Sequence, residues 1–466
     1  MKTLLTLFTL LLLATCTEQI DNTQQRGTKS SVLTAPIPSY SDTIAINATK
    51  EPVIYNKVFD SRYESFAPNT ELQLVINLKR YYYLRPVTQK VYPPEANIAS
   101  TNVSSYTMPT FYPSYLQRYD AMQGTTITRI SDSQTFGCDC SKLRHRYAKN
   151  QAFNSDGTMI MTGGSPSKII DGTTYLPIKD SYTLALWSNT EPHYTYDSNG
   201  KSFVKKNVLT NAITTLHTFN EFDSVSVGYD EGNLTNDDSY VALVGVKSGQ
   251  QTLVVYDIKA DAIVSKKNIG TANLDWISMS QLGNFVVVMY KDSGSGQYQG
   301  TKSYDVTFNN EVHLTNNHPH GDIGIDAQGN EVFVSMDGLS GYSLSMVRLD
   351  TAQKTGLFPT AGNKGIYGGH ISCRNTKKPG WAVVSNQGHE TDMTRSACNR
   401  EVFAIKLDNS GTIMRYGKHH NYIKSYLHDA QAVPNHDLTK IIFASNYSHS
   451  AVISRQYPDM YVLELK

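Results

Sequence analysis

The sequence reads as an all-β chain that closes into a β-propeller of about seven blades, with six and eight left open. A recurring phrase, its period and a missing helix signal carry that reading. The phrase is a polar turn rich in Asn, Asp and Gly, followed by a tight run of β-branched and apolar residues. It occurs as FNSDGTMIMTG from Phe153, LTNDDSYVALVG from Leu234, MSQLGNFVVVM from Met279, IDAQGNEVFVS from Ile325, KKPGWAVVS from Lys377 and VPNHDLTKIIFAS from Val433. From the second copy onward the spacing is about 45 to 57 residues, and each copy leads into a further alternating stretch such as TLVVYDIKA or DMYVLELK. Strand, turn, strand and more strand at that period is the pattern of propeller blades. No segment carries a long amphipathic helix.

The turns explain the phrase. Asp-Gly, Gln-Gly and Leu-Gly followed by polar residues supply the positive φ of a tight hairpin, and the apolar run after them suits a strand buried between neighbouring blades. The wider interval between the first two copies leaves room for a long or degenerate blade. TTITRISDS near residues 125–133 and the Tyr- and Pro-rich stretch before it are read as strands that close the ring. Thirty tyrosines in 466 residues fit half-buried strands and sugar-stacking platforms better than long helices.

The chain opens MKTLLTLFTLLLLATC: Lys2, then an apolar run of about a dozen residues, too short to span a bilayer as a mature helix. Residues 1–16 are read as a signal peptide of lipoprotein type, with Cys16 at the place of the acylated cysteine and a plain secretory leader as the alternative. Residues 17–31 read as a flexible tether, and 32–466 as a single propeller domain. The expectation is an exported monomer, held to a membrane only through a lipid at Cys16. The formal charge is +1, without runs of like charge, so nothing points to a nucleic-acid binder or a polybasic membrane surface. Cys138, Cys140, Cys373 and Cys398 are too few for a disulfide framework.

In a propeller, the residues just upstream of each inner hairpin open onto the funnel around the axis. That rule gathers His145 and Tyr147, Tyr229 and Glu231, Asp275, His318 and His320, His370 and Cys373, and His428 and Gln431. His320, Cys373 and His428 would fall on consecutive blades, and imidazole with thiolate is a donor set that suits zinc. The fourth ligand is His370, His318 or water; with all positions filled by protein, Zn²⁺ is structural. A Cys373–Cys398 disulfide without metal is the competing reading.

The runs RHRYAKNQAFNSDGTMIM, HPHGDIGIDAQGNEVFVS and YLHDAQAVPNHDLTKIIFASNY resemble propeller-type polysaccharide lyases, over about residues 120–466. Oligogalacturonate lyase belongs to that group, and the phrases GGHISC and PGWAVVS are nearer to the ulvan lyases. The resemblance implies β-elimination at a 4-linked uronic acid in an acidic polysaccharide. A base takes the C5 proton, an acid protonates the leaving O4, and a cation or hydrogen-bond donors hold the carboxylate. Carried onto this chain it implies His145 as base, with Tyr147 or Tyr229 as acid and a zinc that stabilises the fold. In the oligogalacturonate type a divalent ion would sit at His320 and His428, but Cys373 among the ligands argues against Mn²⁺. Arg144, Arg146 and Arg374 are the candidates for the carboxylate, each equally readable as a solvated surface charge. A non-catalytic propeller binding a glycan or protein partner is the alternative function. A hydrolytic propeller is weaker, because the funnel positions are His and Tyr, not paired carboxylates.

Overall fold

The computed structural model describes the chain from residue 90 onward, apart from 104–108, 123, 133–135, 137–142, 164–166, 182–184, 292–295, 338, 363, 389–395, 423–424 and 450–457. Before residue 90 it describes only the strands Leu72–Ile76 and Tyr82–Pro86, an antiparallel hairpin. The leader, the tether, Cys16, Cys138 and Cys140 lie outside the described residues. The chain divides into two compact units, Met1–Lys90 and Val91–Lys466, and the described blades belong to the second.

Seven antiparallel sheets make the second unit a seven-bladed β-propeller. Blade 1 holds Met159–Met161, Ser167–Asp171 and Pro177–Ser181, with Phe153 bridged to Ile160 on its axial side. Blade 2 runs from Leu186–Trp187 to Ile213–Thr218, blade 3 from Ser224–Val227 to Ala262–Gly270, and blade 4 from Leu274–Met279 to Val312–Thr315. Blade 5 runs from Gly321–Ile325 to Lys354–Pro359. Blade 6 runs from His370–Ser372 to Thr412–Lys418 and adds Glu95–Asn97 as a fifth strand. In blade 7 the C-terminal strand Asp459–Leu465 is paired on one side with Lys440–Ser445 and on the other with Thr125–Arg129. Strands from both ends of the unit therefore interlock in one sheet, and opening the ring requires breaking that sheet.

The apolar runs bury themselves between blades. One cluster joins Val433, Ile442, Met460 and Val462 of blade 7 to Ile160 and Ile170 of blade 1, closing the circle. Another joins Leu344 and Leu357 of blade 5 to Ile371, Val384 and Phe403 of blade 6. The first hairpin behaves as its sequence dictates: Gly157 takes φ +73°, its N–H donates to Asn154 O, and the Asp156 carboxylate accepts from Thr158 N. Blade 2 occupies the wide interval between the first two copies of the phrase. Its inner turn has no glycine; instead the blade 3 carboxylate Asp238 accepts from Ser188 Oγ, Asn189 N and Thr190 N.

The axis is braced by polar side chains. Gln151 Nε2 donates to Arg374 O (3.0 Å), and Gln281 Nε2 donates to Ile323 O (3.0 Å) and Cys373 O (2.7 Å). Cys373 and Cys398 are buried free thiols, so the disulfide reading does not hold for this pair. Burial pushes both thiols up, that of Cys373 well above its usual value. Alkylation of the native protein followed by peptide mapping is expected to leave both unmodified until the chain is unfolded. Rapid labelling of either in the native state would contradict the packing.

Candidate functional site

The residues upstream of the inner strands do meet. Lys149 of blade 1 pairs with Glu231 of blade 3 (Nζ to Oε2 2.5 Å) and lies 4.3 Å from the centre of the Trp276 ring of blade 4. Tyr147 meets His370 of blade 6 edge to face, with centroids 5.5 Å apart. The His370 ring stacks on His320 of blade 5 (4.4 Å, 18°), and His370 Nε2 is 3.0 Å from Asp429 Oδ2 of blade 7. Tyr426, on a short 3-10 turn before blade 7, donates its hydroxyl proton to Tyr147 Oη (3.0 Å) and lies against both His320 and His370. One continuous polar and aromatic surface thus joins six blades, and its widest exposure is at Tyr426, 50% accessible.

Hydrogen-bond partners fix what each group can do. His320 Nδ1 is 3.2 Å from Gly369 O, which only accepts, so Nδ1 carries the proton and Nε2 keeps its lone pair. His320 is half-buried, and among the described residues its Nε2 has no partner. Burial, with the nearby Tyr426 and Glu231, raises the Tyr147 phenol far above its ordinary value, so it is a proton donor and not a phenolate base. Burial also raises Asp429 to about 7 and pushes His370 well below its usual value. His370 is therefore uncharged near neutral pH, its Nε2–H donating to Asp429, whose carboxyl is partly protonated there.

Several expectations need correction. His145 is fully buried, with Nε2 2.5 Å from Gln431 O, and burial together with Arg144 lowers it to about 3; a side chain with no accessible surface does not touch a polymer, so it is not the contacting base. Arg144 is buried and donates to Leu427 O, Asp429 O and Gln431 Oε1, holding the blade 7 loop. Arg374 is buried in a two-point pair with Asp322 (3.0 Å each) and also donates to Ile323 O. Neither arginine is a surface charge or a substrate clamp. Arg146 is half-buried and engaged within the protein. Tyr229 is exposed, and no contact joins it to Tyr147.

The four zinc ligands are not assembled. Cys373 lies in the apolar cluster with Ile371, Val384 and Leu407, and its N–H donates to Asp322 Oδ2. His370 is committed to Asp429, His320 lies flat against His370, and His428 is buried at the end of the 3-10 turn. Among the described residues no three His, Cys, Asp or Glu side chains are grouped to hold a metal ion. As placed, these residues do not fit a metal centre.

Sequence reasoning passed over Lys149, Tyr426 and Asp429. All three stand within two residues of positions already singled out, Lys149 of Tyr147 and Tyr426 and Asp429 of His428, so only closeness in sequence could have pointed to them.

The buried histidines set the acid limit of the fold. Burial lowers His419 to about 3, like His145, and His420 and His436 to about 4. In the unfolded chain these groups titrate near 6.5. Below that pH the unfolded state takes up protons that the folded state refuses, so the stability present above pH 6.5 is lost on acidification, by about 1.4 kcal/mol per histidine per pH unit. The raised carboxyls of Asp429, Asp275 and Asp322 work in the opposite sense, but with His370 the histidines outnumber them. The melting temperature is expected to fall steeply from pH 7 to pH 4; a flat profile would contradict this burial.

Fold and funnel together define a seven-bladed propeller with an imidazole and tyrosine cluster at one mouth of its axis. Two solved structures share the fold. One is an oligogalacturonate lyase in complex with manganese, 13% identical, with a TM-score of 0.51 over 75% of this chain and 96% of that one. The other is the oligogalacturonate lyase of Vibrio parahaemolyticus, 11% identical, with a TM-score of 0.50 over the same shares. At such identities the likeness is one of fold. No family model and no curated protein matches the sequence.

Proposed function

We propose that the chain is a β-eliminative lyase acting on a uronate-containing polysaccharide. The observation that carries this reading is the tautomer-fixed His320, with a free Nε2, beside the Tyr426–Tyr147 hydroxyl pair. His320 Nε2 takes the C5 proton, α to the carboxylate. The electron pair left at C5 forms the C4–C5 double bond as the C4–O4 bond breaks. Tyr147 gives its proton to the leaving O4, and Tyr426, already donating to Tyr147 Oη, steadies the phenolate that forms. Water returns the proton from His320 to Tyr147 before the next turnover. Lys149, buried in its pair with Glu231 and 5.6 Å from the centre of the Tyr147 ring, steadies the Tyr147 phenolate as a fixed charge and does not contact the substrate. Asp429 and His370 position the His320 ring by stacking and by their mutual bond.

The fold shared with two oligogalacturonate lyases supports the class of reaction, and the GGHISC and PGWAVVS phrases favour ulvan as the polymer. The manganese of the first of these structures belongs to that protein, and no step here runs through a metal. Export through the leader, with a lipid at Cys16, would bring a monomeric enzyme to its polymer outside the cell.

The reading is tested by incubating the protein with ulvan, polygalacturonate and other uronate polymers and weighing the products. Elimination gives oligosaccharides one water lighter than hydrolysis does, ending in an unsaturated uronate. Products of hydrolytic mass, or none from any polymer with folded protein, would reject it.

A further inference from the structure

Two glycines in a row precede His370, and the packing leaves no room for a side chain at either. Gly368 takes φ 58°, in the left-handed region, and a Cβ there would come within 2.3 Å of Gln387 Oε1. A Cβ on Gly369 would come within 2.5 Å of Ile366 Cγ2 and 3.1 Å of Ser385 O. The loop backbone is therefore pressed against the end of the second strand of blade 6, Trp381–Ser385.

The residue after that strand holds the loop in place. Asn386 is buried; its Oδ1 accepts from Tyr367 N (3.1 Å), and its Nδ2 donates to Gly365 O (3.4 Å). Blade 5 adds a second anchor, where Ser343 Oγ accepts from Ile366 N (2.9 Å). From these fixed points the two glycines carry the chain into the funnel. What they place there is the Gly369 carbonyl, 3.2 Å from His320 Nδ1, and then the His370 ring stacked on His320. One short segment thus sets both the protonated nitrogen and the plane of the imidazole.

We propose that Gly368 and Gly369, anchored by Asn386, are positioning residues for the elimination: they select the His320 tautomer that keeps its lone pair on Nε2. They act through His320 and not on the sugar. A neutral imidazole exchanges its proton between two nitrogens, and a backbone carbonyl, which only accepts, favours Nδ1–H. One hydrogen bond of ordinary worth shifts that ratio about fivefold to tenfold. With the carbonyl displaced, part of the population presents an N–H where a base needs a lone pair. This rests on the lyase reading for the reaction, but the tautomer can be read without turnover.

The test is nitrogen NMR of the full chain with ¹⁵N-labelled histidine at about pH 8, where an ordinary imidazole is neutral. His320→Ala assigns the signals, and kcat and KM are measured beside the spectra. In the unmodified protein His320 is expected to show a protonated Nδ1 and a bare Nε2. Gly369→Ala should mix the two tautomers and lower kcat about fivefold to tenfold with KM little changed. Adding Ile366→Ala removes the 2.5 Å clash and should restore the tautomer and most of the rate, while a lost buried isoleucine lowers the melting temperature further. Rate and stability then move in opposite directions, which a merely structural glycine would not produce. A bare Nδ1 on His320 in the unmodified protein would overturn the proposal, as would an unchanged tautomer or an unchanged kcat in Gly369→Ala. If the tautomer shifts as expected but the unmodified protein makes no unsaturated product, the lyase reading fails and the control of His320 by the loop stands.

Discussion

His320→Ala is expected to lower kcat for elimination by about 10²- to 10⁴-fold, the usual worth of a positioned general base, with the melting temperature nearly unchanged. The imidazole is half-buried and makes one 3.2 Å bond to a backbone carbonyl, so its loss leaves no buried charge behind. Because Nδ1 is pinned, the missing function is one lone pair aimed outward. Added imidazole should therefore restore part of the rate. The same loss of activity without rescue, accompanied by a large fall in stability, would make His320 a structural residue. His145→Ala should behave in that second way, since its ring is sealed beneath the site and bonded to Gln431 O.

Arg374→Ala is expected to destabilise the propeller by about 3–5 kcal/mol, because it strands the Asp322 carboxylate in the axis without its partner. The guanidinium also holds Ile323 O, so the tie between blades 5 and 6 is lost, while the bond from Gln151 to the backbone carbonyl at position 374 remains. Removing both charges together, with Arg374→Met and Asp322→Asn, should recover a large part of the loss. An arginine that served only to clamp substrate would cost less than about 0.5 kcal/mol on truncation. Chemical denaturation of the three proteins separates the two roles.

Particular residues show what could be read from the chain beforehand. The turn and the apolar run are local signals, so the repeat exposed the blades wherever the turn carries its own chemistry. Blade 2 escaped because its turn borrows a carboxylate, Asp238, from the next blade. The rule that residues upstream of each inner hairpin converge correctly brought together Tyr147, Glu231, Asp275, His320 and His370. What it did not supply was facing. His370 and Cys373 are an odd number of residues apart on an extended segment, and so face opposite ways, one to the funnel and one to the core between blades 5 and 6. Burial was equally invisible: nothing in RHRYAKNQ says that Arg144 and His145 are sealed beneath the surface while Tyr147 is half-open. Those distinctions come from packing between distant segments.

The central claim is that the funnel performs elimination with His320 and Tyr147. The most direct measurement is the ultraviolet absorbance of unsaturated uronate, followed with time on a uronate polymer for the unmodified protein, His320→Ala and Tyr147→Phe. The account predicts a steady rise for the first and a loss of at least about 10²-fold for each variant. A rise at the same rate in either variant, or no rise in the unmodified folded protein on any uronate polymer, would contradict it.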